Sequence, residues 1–363
     1  MMRTVIKQEI KNYLKNPILW LGMVFVLIEL VQMLHPYLQL HYFETEQEIQ
    51  SLAADNISDR SILEGYIIST KTERRELALE QTQEYLIQEM HIPEEDVKDA
   101  IRDLKDRNVD MDYVDVELNT LLGEKVYTGH IFGYYYSESG MRKASVQEAN
   151  AYIKEKMEDH SYSWYFGRKF ADFCGLFMGF FSTILMVFLF LRDSRKDMYE
   201  LLHTKPIKPV SYVAGKIGGG FGILLMIWGV FVVIFGVLNE VHGRRAGLPV
   251  NIMEFVTQSA MYILPNMLMI ASVYAVISLI FKNPLPATPL LFLYMVYSNM
   301  GSRDANGNYG YFGRPLAIMV RFPGSFLDTT PPPMAVWNQI SLLIVSALVM
   351  WLCVYIWKRR RVY

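Results

Sequence analysis

Glu29 is the residue of this sequence whose type and position most suggest chemistry, because it is a lone carboxylate inside the apolar run Ile18–Leu34. It follows Pro17 by twelve residues. That is about 18 Å along a helix and therefore near the middle of a membrane. A charged group there costs about 3 kcal/mol on insertion scales, so it must face protein or water. Glu29 and Gln32, one turn later, are candidates for a substrate path or a gate. A structural hydrogen bond, with Glu29 protonated, is the alternative.

A third polar residue, Asn266, interrupts the apolar run Phe255–Phe281 directly after Pro265. Proline within a helix removes a backbone donor, so we predict a kink here. The Asn266 amide can hydrogen-bond across a helix bundle. We group it with Glu29 and Gln32 as a candidate for the substrate path or gate.

The sequence contains none of the common enzyme motifs. HExxH, CxxC and GxSxG are absent, and the seven histidines are scattered. Gly215-Lys216 resembles the end of a phosphate-binding loop, but Val210 stands where the first glycine is needed and Ile217 replaces the Ser or Thr that holds magnesium. We therefore expect no catalytic, metal or cofactor site in this chain. If ATP is used, another subunit hydrolyses it.

The elements that would position these residues are long apolar helices. A helix needs about 20 apolar residues to cross the hydrocarbon core of a membrane. The sequence predicts an α-helical membrane protein with six transmembrane helices, and the first run is too long for a signal peptide and lacks a cleavage site. The predicted spans are 17–40, 169–191, 211–238, 253–281, 284–300 and 336–357.

Charge is divided unevenly along the chain, and this division predicts the topology. Residues 41–169 hold 27 acidic and 15 basic residues, a formal charge of −12, whereas the rest holds 10 and 20, a charge of +10. With the N-terminus inside, fifteen basic residues fall in cytoplasmic segments and five in the two short outer loops. We therefore predict a multi-pass plasma-membrane protein with both termini cytoplasmic and a mostly helical extracellular domain at 41–168.

The remaining segments are assigned from local patterns. Arg3, Lys7, Lys11 and Lys15 recur every four residues, which predicts an interfacial helix at 1–16 on anionic lipid. Five glycines at 215–222 predict close helix packing. Residues 301–335 form a predicted extracellular loop, of which Pro315–Phe326 is apolar enough to re-enter the membrane. Residues 358–363 are a basic cytoplasmic tail.

The cytoplasmic loop 192–210 has the pattern of a short capped helix. Ser194 can cap it, Asp197 lies in its first turn, and Pro206 and Pro209 end it. A short polar helix between two spans is suited to dock a soluble partner. A solvated loop helix without a partner is the alternative.

The sequence of this loop also carries a family resemblance. Residues 192–216 read RDSRKDMYELLHTKPIKPVSYVAGK, with Glu200-Leu201-Leu202, Thr204-Lys205-Pro206 and Gly215-Lys216 at the key positions. This pattern resembles the permease (transmembrane) subunit of ABC-2-type transporters, in the subset with a large extracellular domain between spans 1 and 2.

The resemblance implies a type V exporter-like fold, with transport and ATP hydrolysis carried out by different chains. Two permeases would pair, as a homodimer or a heterodimer, above ABC ATPase subunits that bind ATP and Mg. The ATPase-coupling residues of this chain would be Ser194, Asp197, Met198, Tyr199, Glu200, Leu201 and Leu202. The chain itself would not be an enzyme, and its other partner would be membrane lipid rather than nucleic acid.

Two other functions compete with an ATP-driven exporter. A membrane-embedded enzyme would need intramembrane catalytic residues beyond Glu29, and these are missing. A membrane sensor or peptide-immunity protein would bind a peptide through the extracellular domain. The acidic charge of that domain favours cationic partners or serves solubility alone, and peptides, lipids, drugs and ions all remain candidate substrates.

Overall fold

The computed structural model describes residues 2–52, 61–123, 130–191, 208–299, 302–303, 309–310 and 314–359, and these are mostly helical. The α-helices are α1 Met2–Leu14, α2 Pro17–Leu34, α3 Glu46–Ser51, α4 Lys71–Gln88, α5 Glu94–Asp106, α6 Val114–Leu122, α7 Ile131–Glu138, α8 Val146–Asp159, α9 Tyr162–Leu191, α10 Pro209–Arg245, α11 Ile252–Phe281, α12 Ala287–Asn299 and α13 Ala335–Arg359.

Short strands and 3₁₀ turns complete the described elements. Strand β1 (Tyr66–Ile68) pairs antiparallel with β2 (Met141–Lys143), and β3 (Ser302–Arg303) pairs antiparallel with β4 (Tyr309–Gly310). The 3₁₀ turns are His35–Gln39, Ile62–Glu64, Met111–Tyr113 and Phe326–Asp328.

Five described helices are long and apolar enough to cross a membrane, namely Pro17–Gln39 with its 3₁₀ extension, α9, α10, α11 and α13. The sixth predicted span, 284–300, contains α12, which has only 13 residues. At about 1.5 Å per residue such a helix is shorter than the hydrocarbon core of roughly 30 Å. The five long helices agree with a multi-pass α-helical membrane protein, and the sixth span stays a prediction.

The chain divides into two compact units. Residues Tyr42–Glu155 form one, which we call the inserted unit, and the segments before and after it form the helical unit. The inserted unit begins one residue after the predicted start of the 41–168 domain and ends thirteen residues before its predicted end, and the extracellular placement of that domain stays a prediction. Helix α9 begins at Tyr162, seven residues before the predicted start of the second span at 169.

The inserted unit has an apolar core of its own. Helices α4, α5, α6 and α7 contribute buried side chains to one cluster, which includes Leu86, Val97, Leu118 and Phe132. Such a cluster lets the unit hold its fold by packing, since no cysteine lies within it.

A polar network joins β2 to the neighbouring elements of the inserted unit. Lys143 Nζ donates to the carbonyl oxygens of Ile49, Leu52 and Glu64 at 2.8, 2.5 and 2.9 Å. Burial lowers the pKa of Lys143, against the opposing attraction of Glu64. Helix α8 begins with a capping box, in which Ser145 and Glu148 exchange backbone-to-side-chain hydrogen bonds of 2.9 and 3.3 Å.

The helical unit is built around α9 and α11. The rings of Phe166 and Phe170 lie 5.9 and 5.1 Å from that of Phe255, so aromatic side chains fill the contact between these helices. Helix α13 packs on the same α11, where Ser346 Oγ lies 3.5 Å from Met269 Sδ.

Candidate functional site

The predicted path residues lie at different depths of burial in separate helices. Glu29 is half-buried and Gln32 exposed on α2, whereas Asn266 is buried on α11. Asn266 Nδ2 donates to the Tyr262 carbonyl at 2.6 Å, within its own helix, and its Oδ1 has no hydrogen-bond partner within the described residues. No hydrogen bond joins two of these three side chains in the described ranges, and a substrate path or gate formed by them stays a prediction.

The densest buried charge in the described helical unit lies near the start of α9. Arg168, Lys169 and Asp172 are 9%, 6% and 4% exposed, and all three bind one irregular stretch that we call segment 314–330. This segment lies within the predicted extracellular loop 301–335 and contains Pro315–Phe326, the stretch predicted to re-enter the membrane. Its residues Ala317–Val320 are buried.

Asp172 fixes the middle of segment 314–330 through both of its carboxylate oxygens. Oδ1 pairs with the Nε of Arg321, and Oδ2 accepts from the backbone N–H of Phe322 at 3.1 Å. Arg321 Nη1 also donates to Asn299 Oδ1 of α12, at 3.4 Å. One carboxylate therefore neutralises a half-buried guanidinium and satisfies a buried backbone donor.

The two basic residues bind the carbonyl groups that follow. Lys169 Nζ donates to Phe322 O and Gly324 O at 3.2 and 3.0 Å. Arg168 Nη1 donates to Thr329 O at 2.5 Å, and its guanidinium lies 3.5 Å above the Trp164 ring. These contacts replace the hydrogen bonds that a helix or strand would have given to this backbone.

Side chains from three further positions hold the first part of segment 314–330. Tyr294 Oη donates to Leu316 O at 2.5 Å, Asn338 Nδ2 donates to Ala317 O at 2.8 Å, and Ser298 Oγ accepts from Ile318 N at 3.0 Å. Non-helical backbone at membrane depth is tolerated where protein buries and satisfies it. The arrangement is therefore suited to a fixed irregular segment within a helix bundle.

Sequence reasoning missed this charged cluster because hydropathy marks uncharged runs. The run Phe173–Leu191 begins directly after Asp172, so the three charges fell at the predicted domain boundary. The signal was their spacing, since positions 168, 169 and 172 lie on one side of a helix that continues without a break from Tyr162.

A second buried ion pair joins α1 to α10. Glu9 Oε1 lies 2.8 Å from Lys216 Nζ, with side-chain exposures of only 12% and 5%. Lys216 Nζ also donates to Leu189 O at 3.0 Å, and Tyr13 Oη donates to Leu185 O at 2.9 Å. The cationic helix predicted at 1–16 is therefore attached to both α9 and α10 through polar groups of its buried side.

The glycines at the start of α10 form the surface on which α1 packs. A Cβ atom on Gly215 would lie 2.9 Å from Val5 Cβ, and one on Gly219 would lie 2.7 Å from Glu9 Cβ. Both distances are closer than side chains tolerate. The sequence predicted close packing by these glycines but not that the partner is α1.

The predicted coupling residues Ser194, Asp197, Met198, Tyr199, Glu200, Leu201 and Leu202 lie outside the described residues. The flanking positions are described, with α9 ending at Leu191 and Lys208 preceding α10. In the described ranges, no group of three or more His, Cys, Asp or Glu side chains is arranged to hold a metal ion.

Comparison with known families gives a match in the central part of the chain. Residues 144–298 match the model of a family described as ABC-2 family transporter protein, over less than half of the chain. The match supports a transport permease of the ABC-2 type. Comparison with curated proteins and with solved structures gives no match.

The family match covers part of the residues that carry the charged contacts. It includes Arg168, Lys169, Asp172 and Lys216, and it ends within α12 at residue 298. Transporters of this type work in general with an ABC ATPase, so the membrane component is not itself the catalytic chain.

Proposed function

We propose that this chain is the membrane-spanning permease subunit of an ATP-driven exporter, with ATP hydrolysed by a separate ABC ATPase. The observation that carries the proposal is the match of residues 144–298 to an ABC-2 transporter family. ATP and Mg are bound in the partner chain. The permease has a type V exporter-like fold with six spans and pairs with a second permease.

The proposed topology places both termini and the loop 192–210 in the cytoplasm and the inserted unit outside the cell. Its support is the distribution of basic residues, which favours cytoplasmic placement of α1 and of the basic end of α13. Lipid surrounds the long apolar helices.

The proposed ATPase contact is the coupling helix around 194–202. It connects two described helices whose ends are tied to α1 by the pairs Glu9–Lys216 and Tyr13–Leu185. A cavity of about 390 Å³ opens beside this attachment and is lined by Glu9, Tyr13, Phe188 and Leu191 among others. A push on the coupling helix is therefore delivered to α9, α10 and α1 together.

The test is ATP hydrolysis by the complex that the chain forms with its ATPase. In the variants Leu201→Asp and Glu200→Lys, the permease is expected no longer to stimulate ATP hydrolysis by the ATPase. Both permease variants are expected to be expressed and inserted into the membrane. Leu121→Asp, which adds the same charge at an exposed position of the inserted unit, is the matched control. Normal co-purification and transport by both coupling variants would remove the coupling-helix assignment.

A second candidate function is a sensor or peptide-immunity protein, and the separate core of the inserted unit favours it. Replacing Tyr42–Glu155 by a short Gly/Ser linker separates the two proposals. Transport that persists with changed substrate preference supports the exporter with an outer recognition element. A variant that retains ATPase stimulation and transport but loses protection against peptides supports the immunity function.

A further inference from the structure

The inserted unit carries a groove between α4 and α7 whose lining combines tyrosine rings with carboxylates. The groove encloses about 470 Å³. Its lining includes Tyr85, Tyr134, Tyr135, Glu84, Glu89 and Glu138.

The three rings form one continuous wall. The Tyr135 centroid lies 6.1 Å from that of Tyr85 and 5.3 Å from that of Tyr134, with the Tyr134 ring nearly perpendicular to it at 73°. Tyr134 is 58% exposed, so core packing does not explain its ring. The core beneath is filled by Leu86 and Phe132, which are 0% and 1% exposed.

The carboxylates give the groove a negative field. Glu84 and Glu89 are exposed and form no ion pair within the described residues. Burial raises the pKa of the Tyr135 hydroxyl, and the neighbouring Tyr85, Tyr134, Glu89 and Glu84 raise it further. A tyrosine face has a negative quadrupole, so rings and carboxylates attract the same kind of ligand.

The unit already holds a guanidinium against a tyrosine ring of α7. The Arg74 guanidinium lies 4.2 Å from the Tyr136 ring centroid, and its Nε donates to Tyr136 O at 2.5 Å. Arg74 is thereby engaged three turns from Tyr85 along α4.

We propose that the groove lined by Tyr85, Tyr134, Tyr135 and Glu84, Glu89, Glu138 is a binding site for an organic cation. The ligand is an alkylammonium or guanidinium group, held over the tyrosine faces with the carboxylates as counter-charges. Its source is either a small organic cation or a basic side chain of a peptide. The proposed site uses residues of the inserted unit alone, so its test does not depend on the exporter function.

The test is calorimetric titration of the purified full-length protein, without ATP or ATPase, using tetramethylammonium and trilysine. Both probes are expected to bind, while the uncharged isostere tert-butanol is not. Tighter binding of trilysine identifies a peptide side chain as the ligand, and equal affinity per cation identifies a small organic cation. Binding of neither cation, or equal binding of tert-butanol, overturns the proposal.

Variants locate the binding to the groove. Tyr134→Leu is expected to weaken binding about tenfold, as the loss of a cation–π contact of about 1.4 kcal/mol predicts, whereas Tyr134→Phe retains it. Glu84→Gln weakens binding several-fold. Glu95→Gln removes the same charge from an exposed position on α5 and leaves affinity unchanged. Affinity that is insensitive to both Tyr134→Leu and Glu84→Gln also overturns the proposal.

Discussion

Glu9 and Lys216 lie 207 positions apart in the chain, yet their charged groups are 2.8 Å apart and both side chains are almost fully buried. The pair fastens the amphipathic helix α1 to the glycine-lined start of α10. Burial of two charges is tolerated here because Lys216 has a second acceptor, the Leu189 carbonyl oxygen. A cationic surface helix is thus a fixed part of the helical unit.

Breaking this pair is expected to destabilise the protein. Glu9→Gln leaves the buried Lys216 ammonium without its carboxylate and should lower the free energy of unfolding by roughly 3 kcal/mol. Thermal unfolding in detergent measures the loss. The double variant Glu9→Gln/Lys216→Met should recover much of it, because no buried charge then remains. Glu240→Gln, which breaks the more exposed pair with Arg244, should have little effect.

The packing of α1 on the glycines of α10 gives a prediction with a control in the same helix. Gly219→Ala places a Cβ atom 2.7 Å from Glu9 Cβ and should cost about 1–3 kcal/mol through overpacking. Gly229→Ala has no atom within 4 Å of the added Cβ and should be neutral or stabilising. Unfolding midpoints of the two variants compare them directly. Equal midpoints would contradict the seating of α1 on Gly219.

The attachment of segment 314–330 predicts a change in cysteine reactivity. Asp172→Asn removes the charge that holds Arg321, so the segment should loosen over α9. Met319 of this segment is buried, and its Cε lies 3.0 Å from the position of a Cβ atom on Gly179 of α9. In a Cys174→Ser/Cys353→Ser background, maleimide labelling of a Met319→Cys variant should accelerate at least severalfold.

The same labelling assay distinguishes a local from a general effect. Glu240→Gln also removes one acid from an ion pair, and it should leave the labelling rate of Met319→Cys unchanged. An unchanged rate in Asp172→Asn would mean that the hydrogen bonds of Arg168 and Lys169 suffice to hold the segment.

The inserted unit should lose stability at low pH through Glu148. Its hydrogen bonds with Arg142 and then with Ser145 lower its pKa from 4.5 to about 2. A carboxyl group whose pKa is lowered in the folded state adds to the free energy of unfolding. This contribution is fully present above pH 4.5 and is lost as the pH falls towards 2. Hydrogen exchange of the first turn of α8, corrected for intrinsic rates, should therefore quicken between pH 6 and pH 3.

Substitution of Glu148 separates this contribution from general acid effects. Glu148→Gln should quicken exchange at pH 6, with a difference from the wild type that shrinks at pH 3. The effect is modest because the side chain is 43% exposed. Glu95→Gln should leave exchange in α8 unaltered at both pH values. A Glu148→Gln difference that is equal at both pH values would refute the linkage.

The helices were predictable because apolar runs and caps are local features of the sequence. Pro17 and Asn16 mark the start of α2, where the Ile18 N–H donates to Asn16 Oδ1 at 3.0 Å. The five long spans follow from hydropathy in the same way. The short α12 shows the limit of this approach, since its apolar run is cut by the prolines that precede it.

The charged contacts were not predictable because their partners are distant in sequence. Asp172 and Arg321 lie 149 positions apart, and hydropathy assigned one to a domain boundary and the other to a loop. Glu29 was recognised as an isolated acid within an apolar run. Its position in the sequence does not indicate how near it lies to Asn266 on another helix. Partners of buried charges are set by tertiary packing, which a single sequence does not encode in its spacing.

The length of α10 has a mechanical consequence. Its 37 residues extend about 55 Å, well beyond a hydrocarbon core of roughly 30 Å. Gly219, in the first third of the helix, packs against α1, while near the other end Asn239 Nδ2 donates to Ser163 Oγ of α9 at 2.8 Å. A tilt of about 10° around its centre would swing each end by about 5 Å in opposite directions. Helix α10 thus acts as a lever, and α1 moves with the half of α10 on which it packs.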